Sequence, residues 1–175
     1  MIADFHLHSS SVNWPVSLKN TNGTTFSTWP NAHTLFNDFE FNSASKCADF
    51  LASFGADLTK VRDGFYDRWN IPKPKESIAS TSFDQKAVKS IFSRAWGKNY
   101  FYVRRYKNDW DVRWLCDDKL NDLTSNIKID EIRYPGEERK SISICCSNEN
   151  VKYRVEIRNT KCGELPNDIK FSVRS

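Results

Sequence analysis

The sequence predicts an α+β fold in which residues 1–175 form a single domain. The predicted architecture is a mixed sheet with two or three helices and a mostly antiparallel C-terminal half. Three observations support it. The chain is long enough to bury a core, and 39% hydrophobic with 27% charged residues is ordinary for a globular protein. Apolar residues recur with a helical period between about residues 43 and 97, and alternation with turn signals follows from there to the C-terminus.

The N-terminal part alternates and predicts two strands. Residues 2–8 form the first, which places Asp4, His6 and His8 on one face. A Ser-rich turn separates it from a second short strand over residues 14–20. The stretch over residues 20–42 is rich in Thr, Asn, Gly and Pro, which predicts a loop that could include a short helix.

The middle part predicts three helices. The first begins near Ser43 and ends at Gly55, and the second covers about residues 57–69. Pro72 and Pro74 then favour an extended linker. Ser82, with Gln85 three residues later, resembles a capping box, which predicts that the third helix starts at Ser82 and ends at Gly97.

The C-terminal half predicts a largely antiparallel sheet, because short alternating segments are separated by turn signals. The predicted strands cover residues 99–106, 110–116, 127–134, 141–147, 151–159 and 168–174. Asp109, Asp111, Asp117 and Asp118 are interpreted as solvated acids, the adjacent pair on a turn.

Charge and cysteine content limit the classes of function. Residues 1–85 hold 7 basic and 9 acidic side chains, a net charge of −2, whereas residues 86–175 hold 19 and 13, a net charge of +6. A basic half beside a slightly acidic half suits a polyanion-binding surface next to a metal pocket. Five cysteines without a CxxC pair favour neither disulfides nor structural zinc. Neither a membrane span nor a signal peptide is predicted, and a cytoplasmic location is expected.

Two residues of the predicted N-terminal hairpin suggest a chemistry. Asp4 lies on the first strand and Lys19 on the second, so a hairpin brings them together at one edge. A carboxylate that holds Mg²⁺, beside a lysine that meets a water or a phosphate oxygen, is the minimum for metal-assisted phosphodiester hydrolysis. The alternative is an exposed hairpin with ordinary surface charges.

This segment resembles the core of the PD-(D/E)xK nucleases. Ile2-Ala-Asp4 and Pro15-Val-Ser-Leu-Lys-Asn20 are similar to the family's acid on one strand and acid-x-Lys triplet on the next. The segment from Tyr153 to Phe171 is similar to the closing hairpin of the HaeIII-type, GGCC-cutting type II restriction endonucleases. The resemblance implies a restriction-endonuclease-like fold and Mg²⁺-dependent cleavage of double-stranded DNA. It assigns metal binding to Asp4 and the Leu18 carbonyl, and it assigns Lys19 to the phosphate or the attacking water.

The sequence departs from the family pattern at two points. Ser17 occupies the place of the second acid, so the metal would need another acid, with Asp38 and Glu40 as candidates, or DNA phosphate and waters. The family also has a helix and a strand before the first Asp, and this chain begins almost at that residue. A fragment of a longer protein and a catalytically inactive DNA-binding module that keeps the recognition sheet therefore stay open.

Basic residues on the predicted strands are the candidates for DNA contacts, because Arg reads guanine, Asn reads adenine and Lys neutralises phosphate. Alternation requires that Arg104 and Arg105 point to opposite faces. A palindromic target would favour a homodimer. The candidates are Arg104, Arg105, Lys107, Arg113, Arg158, Asn159 and Lys161.

Two further hypotheses compete with the nuclease. Asp4-Phe-His-Leu-His8 is also similar to the opening metal motif of the PHP-type phosphoesterases, but those enzymes need many His and acidic ligands, and His33 is the third and last histidine. The 14% content of aromatic residues is compatible with an aromatic-rich core or with a protein-interaction surface.

Overall fold

The computed structural model describes residues 4–19, 25–30, 46–57, 59–60, 77–78, 82–106, 109–134, 141–158 and 168–174. These residues form three helices and ten strands in two sheets, which confirms the predicted α+β class. The strands are β1 (Phe5–His8), β2 (Asn13–Lys19), β3 (Thr25–Pro30), β4 (Ser77–Ile78), β5 (Phe101–Tyr106), β6 (Asp109–Trp114), β7 (Lys128–Arg133), β8 (Ser141–Ser147), β9 (Lys152–Arg158) and β10 (Asp168–Arg174). The helices are α1 (Lys46–Ser53), α2 (Gln85–Trp96) and α3 (Asp117–Thr124).

The first sheet has four strands in the order β1-β2-β5-β6. β1 and β2 form the predicted antiparallel hairpin, and β5 and β6 form a second one. β2 and β5 run parallel, which makes this sheet mixed. Because paired residues of neighbouring strands share a face, the register divides the sheet into two chemically different faces.

We call these the polar face and the apolar face. The polar face carries His6, His8, Asn13, Pro15, Ser17, Lys19, Tyr102, Arg104, Asp109, Asp111 and Arg113. The apolar face carries Phe5, Leu7, Trp14, Val16, Leu18, Phe101, Val103, Arg105, Trp110, Val112 and Trp114. This register confirms that Arg104 and Arg105 point to opposite faces.

The second sheet has six antiparallel strands in the order β3-β10-β9-β8-β7-β4. Its inner face is built from aliphatic and aromatic residues of β8, β9 and β10, including Ile144, Val155 and Phe171, all fully buried. This arrangement confirms the predicted antiparallel C-terminal half. Cys146 belongs to the main core cluster, whereas its neighbour Cys145 is also buried but lies on the opposite face of β8, as alternation requires.

Three elements were not predicted: β3, α3 and the two-residue strand β4, which pairs with β7. β3 falls in the stretch interpreted as a loop, and it forms because it pairs with β10 at the far end of the chain, where Phe26 is the extra residue of a β-bulge. α3 begins at the acids that were interpreted as a turn. Asp117 and Asp118 lie in its first turn, where negative charge is favourable beside the free N–H groups of a helix.

The predicted capping box at the start of α2 is wrong. The N-cap is Asp84, whose Oδ1 accepts a hydrogen bond of 2.9 Å from the Ala87 amide. Gln85 instead reaches the start of β7: with its amide oriented to satisfy both groups, it donates to the Ile127 carbonyl and accepts from the Ile127 amide. An Asp one residue before the helix satisfies the orphan N–H groups without Ser82. The predicted end at Gly97 is confirmed, with a φ of 69°.

Several predictions concern residues outside the described ranges. Of the predicted helix 57–69, the structure describes residues 57, 59 and 60, and the Asp57 carboxylate accepts from the amides of Thr59 and Lys60, as a helix N-cap does. Asp38, Glu40, His33, Pro72 and Pro74 lie outside those ranges.

The hydrophobic core connects the two sheets through α2. The buried face of this helix carries Val88, Ile91, Phe92, Ala95 and Trp96. The Trp96 ring stacks on Phe26 of the second sheet at 3.9 Å and meets Tyr102 of the first sheet edge-on at 5.3 Å. The polar face of the first sheet is therefore the one that meets the core. Among the described residues, no helix combines the length and the apolar character that crossing a bilayer requires.

Candidate functional site

Asp4 and the end of β2 meet as the sequence predicted. The Asp4 amide donates to the Val16 carbonyl at 2.8 Å, which fixes Asp4 beside the strand. Its Oδ2 atom then accepts from the Leu18 amide at 2.7 Å and from the Ser17 hydroxyl at 3.2 Å. The Lys19 ammonium lies 3.8 Å from the same oxygen. One carboxylate thus joins three consecutive residues of β2.

The two charged side chains differ in exposure. The Asp4 side chain is 42% exposed, whereas that of Lys19 is 18% exposed. Ser17 is buried, and its hydroxyl points at the carboxylate. The contacts that the Asp4 carboxylate makes with described residues all use Oδ2. Its Oδ1 atom is therefore left for another ligand.

Further cations lie on the same polar face. Lys19 is opposite Arg104 in the register of β2 and β5, and Arg104 is opposite Asp111 of β6. Arg113 is held by Asp111 through two contacts, Nε to Oδ1 at 2.8 Å and Nη2 to Oδ2 at 2.7 Å. Asp111, which the sequence had suggested to be merely solvated, thus orients Arg113. Asp4, Lys19, Arg104, Asp111 and Arg113 together carry a net charge of +1.

Tyr102 lies between these charges. It is opposite Ser17 on one side and Arg113 on the other. Burial raises the pKa of its phenol, the positive charges of Arg104 and Arg113 lower it, and the net pKa is above the ordinary value of 10.0. Its hydroxyl is buried with no hydrogen-bond partner among the described residues.

The donor set fits a weakly coordinated Mg²⁺ better than a metal cage. Within the described ranges, no group of three or more His, Cys, Asp and Glu side chains could hold a metal ion. Mg²⁺, however, commonly uses one or two carboxylates and completes its shell with water and phosphate oxygens. Asp4 offers one such carboxylate. The Leu18 amide is a donor to Asp4, and a metal-ligand role of its carbonyl remains a prediction.

His6 and His8 lie on the polar face with Asp4 but stay at the exposed edge. Their ring centroids are 6.2 Å apart, and both residues are exposed. Asp4 directly precedes β1 and contacts Ser17 and Lys19 of the same face. A PHP-type site would need several more ligands.

The predicted DNA-contacting residues divide among three places. Arg104 and Arg113 are on the polar face, while Arg105 is on the apolar face, where its guanidinium lies 5.9 Å from the Trp110 ring centre. Arg158 belongs to β9 of the second sheet and donates to Glu156 at 2.7 Å. Lys107, Asn159 and Lys161 lie outside the described ranges.

The sequence analysis missed a basic row on the outer face of the second sheet. Lys152 is opposite Arg174, and Arg154 follows on the same face of β9, with Lys170 further along β10. Glu156 lies among them: burial raises the pKa of its carboxyl, but the hydrogen bond and charge of Arg158, with Arg154 and Lys170, outweigh this and lower it. The alternation Lys-Tyr-Arg-Val-Glu-Ile-Arg in β9 is the signal that could have revealed this face.

No protein family, curated protein or solved structure matches this chain.

Proposed function

We propose that this protein cleaves double-stranded DNA as a Mg²⁺-dependent endonuclease of restriction type. The observation that carries the proposal is the contact of Lys19 with Asp4: an ammonium 3.8 Å from a half-exposed carboxylate, with the carboxylate held by the main chain of the same strand. A carboxylate that can hold a metal, beside a lysine that can meet a phosphate oxygen or a water, suits metal-assisted phosphodiester hydrolysis. A cytoplasmic location fits a DNA substrate and the free thiols of Cys116, Cys145 and Cys146.

Each residue has a defined part in the proposed reaction. Asp4 would hold Mg²⁺ through its carboxylate, and the bound metal supplies charge stabilisation at the scissile phosphate. Lys19 would donate a hydrogen bond to a phosphate oxygen or orient the attacking water. Arg104 and Arg113, on the same face, supply positive charge for the DNA backbone.

The first experiment compares Asp4→Asn and Lys19→Ala with the wild-type chain on long double-stranded DNA, with and without Mg²⁺. We expect metal-dependent fragments from the wild type and a loss of at least about a hundredfold in each variant. Asp118→Asn on α3 and Lys86→Ala on α2 are the matched controls, because both residues are exposed and lie on helices outside the first sheet. Equal cleavage by Asp4→Asn and the wild type would refute the proposed role of Asp4.

A second substitution tests the metal without relying on activity. In Ser17→Asp a second carboxylate is placed where the hydroxyl now lies 3.2 Å from Asp4 Oδ2. Two carboxylates at that distance repel, so we expect a lower Tm than in the uncharged variant Ser17→Asn. Because Mg²⁺ would bind the folded pair, it should recover part of the Tm of Ser17→Asp and leave Ser17→Asn unchanged. Identical responses of the two variants to Mg²⁺ would argue against a metal at this position.

A DNA-binding module without catalysis is the second candidate. The observation that favours it is Ser17 itself, a buried hydroxyl at the place of the second acid. This candidate predicts retarded but intact DNA in the presence of Mg²⁺, with affinity that falls steeply as salt rises. Substituting Arg104 or Lys152 would then weaken binding, whereas Asp4→Asn would not.

A further inference from the structure

The first sheet turns its polar face, and not its apolar face, toward the core. Its polar face meets the core, where Tyr102 contacts Trp96, and its apolar face points away from the core. Val16 is the buried residue of the apolar face among the described ones, and it lies outside the main core cluster. In a monomer the apolar face of a sheet is expected to cover the core. Here it is turned outward.

The apolar face is correspondingly exposed. All but one of the large hydrophobic residues found exposed in the described part of the chain belong to it: Phe5 42%, Leu7 51%, Leu18 45%, Trp110 57%, Val112 58% and Trp114 40%. With about 150–250 Å² as the full surface of a large side chain, these fractions leave roughly 400–700 Å² of exposed apolar surface on one face. Trp14, Phe101 and Val103 are half-buried on the same face and extend it.

This exposed apolar area supplies a large part of what a symmetric dimer needs. The largest apolar patch of a typical monomer measures about 300–600 Å². Each partner of a standard interface buries about 800 Å², and the six exposed residues supply roughly half of this area or more before their half-buried neighbours are added. The exposed apolar area therefore lies at the upper end of the range for a monomer. With the half-buried neighbours added, it approaches the area that one partner of a stable interface buries.

The charge of the face favours a second copy of the chain over a charged partner. Among the described residues of these four strands, Arg105 is the single charged residue on the apolar face, and it stacks beside Trp110 at the end of β5. A two-fold interface brings a patch onto itself, so a patch with many like charges would repel its copy, whereas a nearly uncharged one does not. Nucleic acid would require a row of cations beside the aromatic rings, which this face does not offer.

We infer that two copies of this chain pack through the apolar faces of their four-stranded sheets. The strands of the two sheets face each other about 10 Å apart, as in a β-sandwich, and the side chains of Val112 and Trp114 of each copy are removed from water. The polar faces, with Asp4 and Lys19, point away from this interface, toward the core of each copy. The inference is independent of any activity at Asp4.

The test is the mass of the full chain in solution, measured by light scattering and by sedimentation over about a hundredfold range of concentration. We expect twice the chain mass of 20.3 kDa at the upper end. Val112→Arg, at the most exposed position of the apolar face, should shift the chain to monomer and raise the dimer Kd at least about a hundredfold, since it buries two unpaired charges. Ser90→Arg adds the same charge at an exposed position of α2 and should leave the dimer intact.

Tryptophan emission gives a second measurement. Trp110 and Trp114 leave water on association, so the emission maximum of the wild type should move to shorter wavelength as concentration rises, and that of Val112→Arg should not. If Val112→Arg does not fold, Leu7→Arg on β1 replaces it, since Leu7 is 51% exposed on the same face. A wild-type chain that stays monomeric throughout, or a folded arginine variant that remains dimeric, overturns the inference and leaves this face to a different partner.

Discussion

A single carboxylate organises the candidate site at the scale of residues. Main-chain groups of β2 hold Asp4 at two points. The Asp4 amide donates to the Val16 carbonyl, and the Asp4 carboxylate accepts from the Leu18 amide. Lys19 is then placed by the strand itself. A site built from main-chain contacts of β2 keeps the distance between the carboxylate and the ammonium within a narrow range, which general acid–base chemistry needs.

Two buried tyrosines of similar exposure allow a matched prediction. The Tyr102 hydroxyl has no hydrogen-bond partner among the described residues, whereas the Tyr100 hydroxyl donates to the Trp96 carbonyl at 2.6 Å. Removing an unsatisfied hydroxyl relieves its desolvation, while removing a paired one leaves a buried carbonyl without its donor. We expect Tyr102→Phe to leave the free energy of unfolding unchanged or to raise it by up to about 1 kcal/mol. Tyr100→Phe should lower it by about 1–3 kcal/mol.

Denaturant unfolding of the two variants measures this difference, and each serves as the control of the other. Burial raises the pKa of both phenols, which are therefore uncharged near pH 7. The comparison of the two variants does not depend on their ionisation. A loss of stability in Tyr102→Phe as large as in Tyr100→Phe would show that its hydroxyl is paired.

At the scale of elements, the alternation of side chains along β8, β9 and β10 gives the second sheet a polar, charged outer face. Small residues of β8, Ser141 and Ser143, leave room for the longer charged side chains of β9. The Arg154 guanidinium donates to the Ser143 hydroxyl, and Glu156 accepts from Arg158 at 2.7 Å. The result is a basic surface whose one central carboxylate is held by neighbouring cations.

Glu156 makes the stability of this face depend on pH. Although burial raises the pKa of its carboxyl, the net folded-state pKa lies below the ordinary value of 4.5 because of Arg158, Arg154 and Lys170. Its contribution to stability is therefore fully present above the unfolded-state pKa and is lost as the pH falls through the folded-state pKa. We expect Glu156→Gln to be less stable than the wild type by about 0.2–1 kcal/mol at neutral pH, a value discounted for solvent screening. The two stabilities should converge in acid.

Thermal unfolding of both proteins from neutral pH to below about pH 4 tests this. Glu149→Gln, at the exposed turn between β8 and β9, is the matched control and should run parallel to the wild type. If the difference in stability between Glu156→Gln and the wild type stays constant as the pH falls, the ionised carboxylate of Glu156 does not contribute to stability.

The sequence predicted the local features of the fold better than the distant ones. The strands from β5 to β10 and the contact of Asp4 with β2 follow from alternation and a short hairpin, which are local. β3 was missed because its Thr, Phe and Trp residues, which favour a strand, lie among Asn, Gly and Pro turn residues, and because its partner β10 is more than a hundred residues later. The outward apolar face was missed as well, since alternation in β6 gives two faces but does not say which one meets the core.

At the scale of the whole molecule the two sheets share one hydrophobic core, and Trp96 contacts both of them. It is buried, it stacks on Phe26 of the second sheet, and it contacts Tyr102 of the first. We expect Trp96→Ala to lower the free energy of unfolding by about 3–5 kcal/mol, because an indole-sized cavity opens between the sheets. Trp96→Phe keeps part of both contacts and should lose less.

Amide hydrogen exchange distinguishes a shared core from two separate units. If the sheets unfold together, Trp96→Ala should reduce the protection of the Val103 amide in β5 and of the Val155 amide in β9 by the same free energy. Both strands lie in the interior of their sheets. A variant in which β9 keeps its protection while β5 loses it would show that the first sheet opens independently. The part of the polar face that packs on the core around Tyr102 would then open without global unfolding, so this measurement also decides whether the geometry around Asp4 is as stable as the rest of the chain.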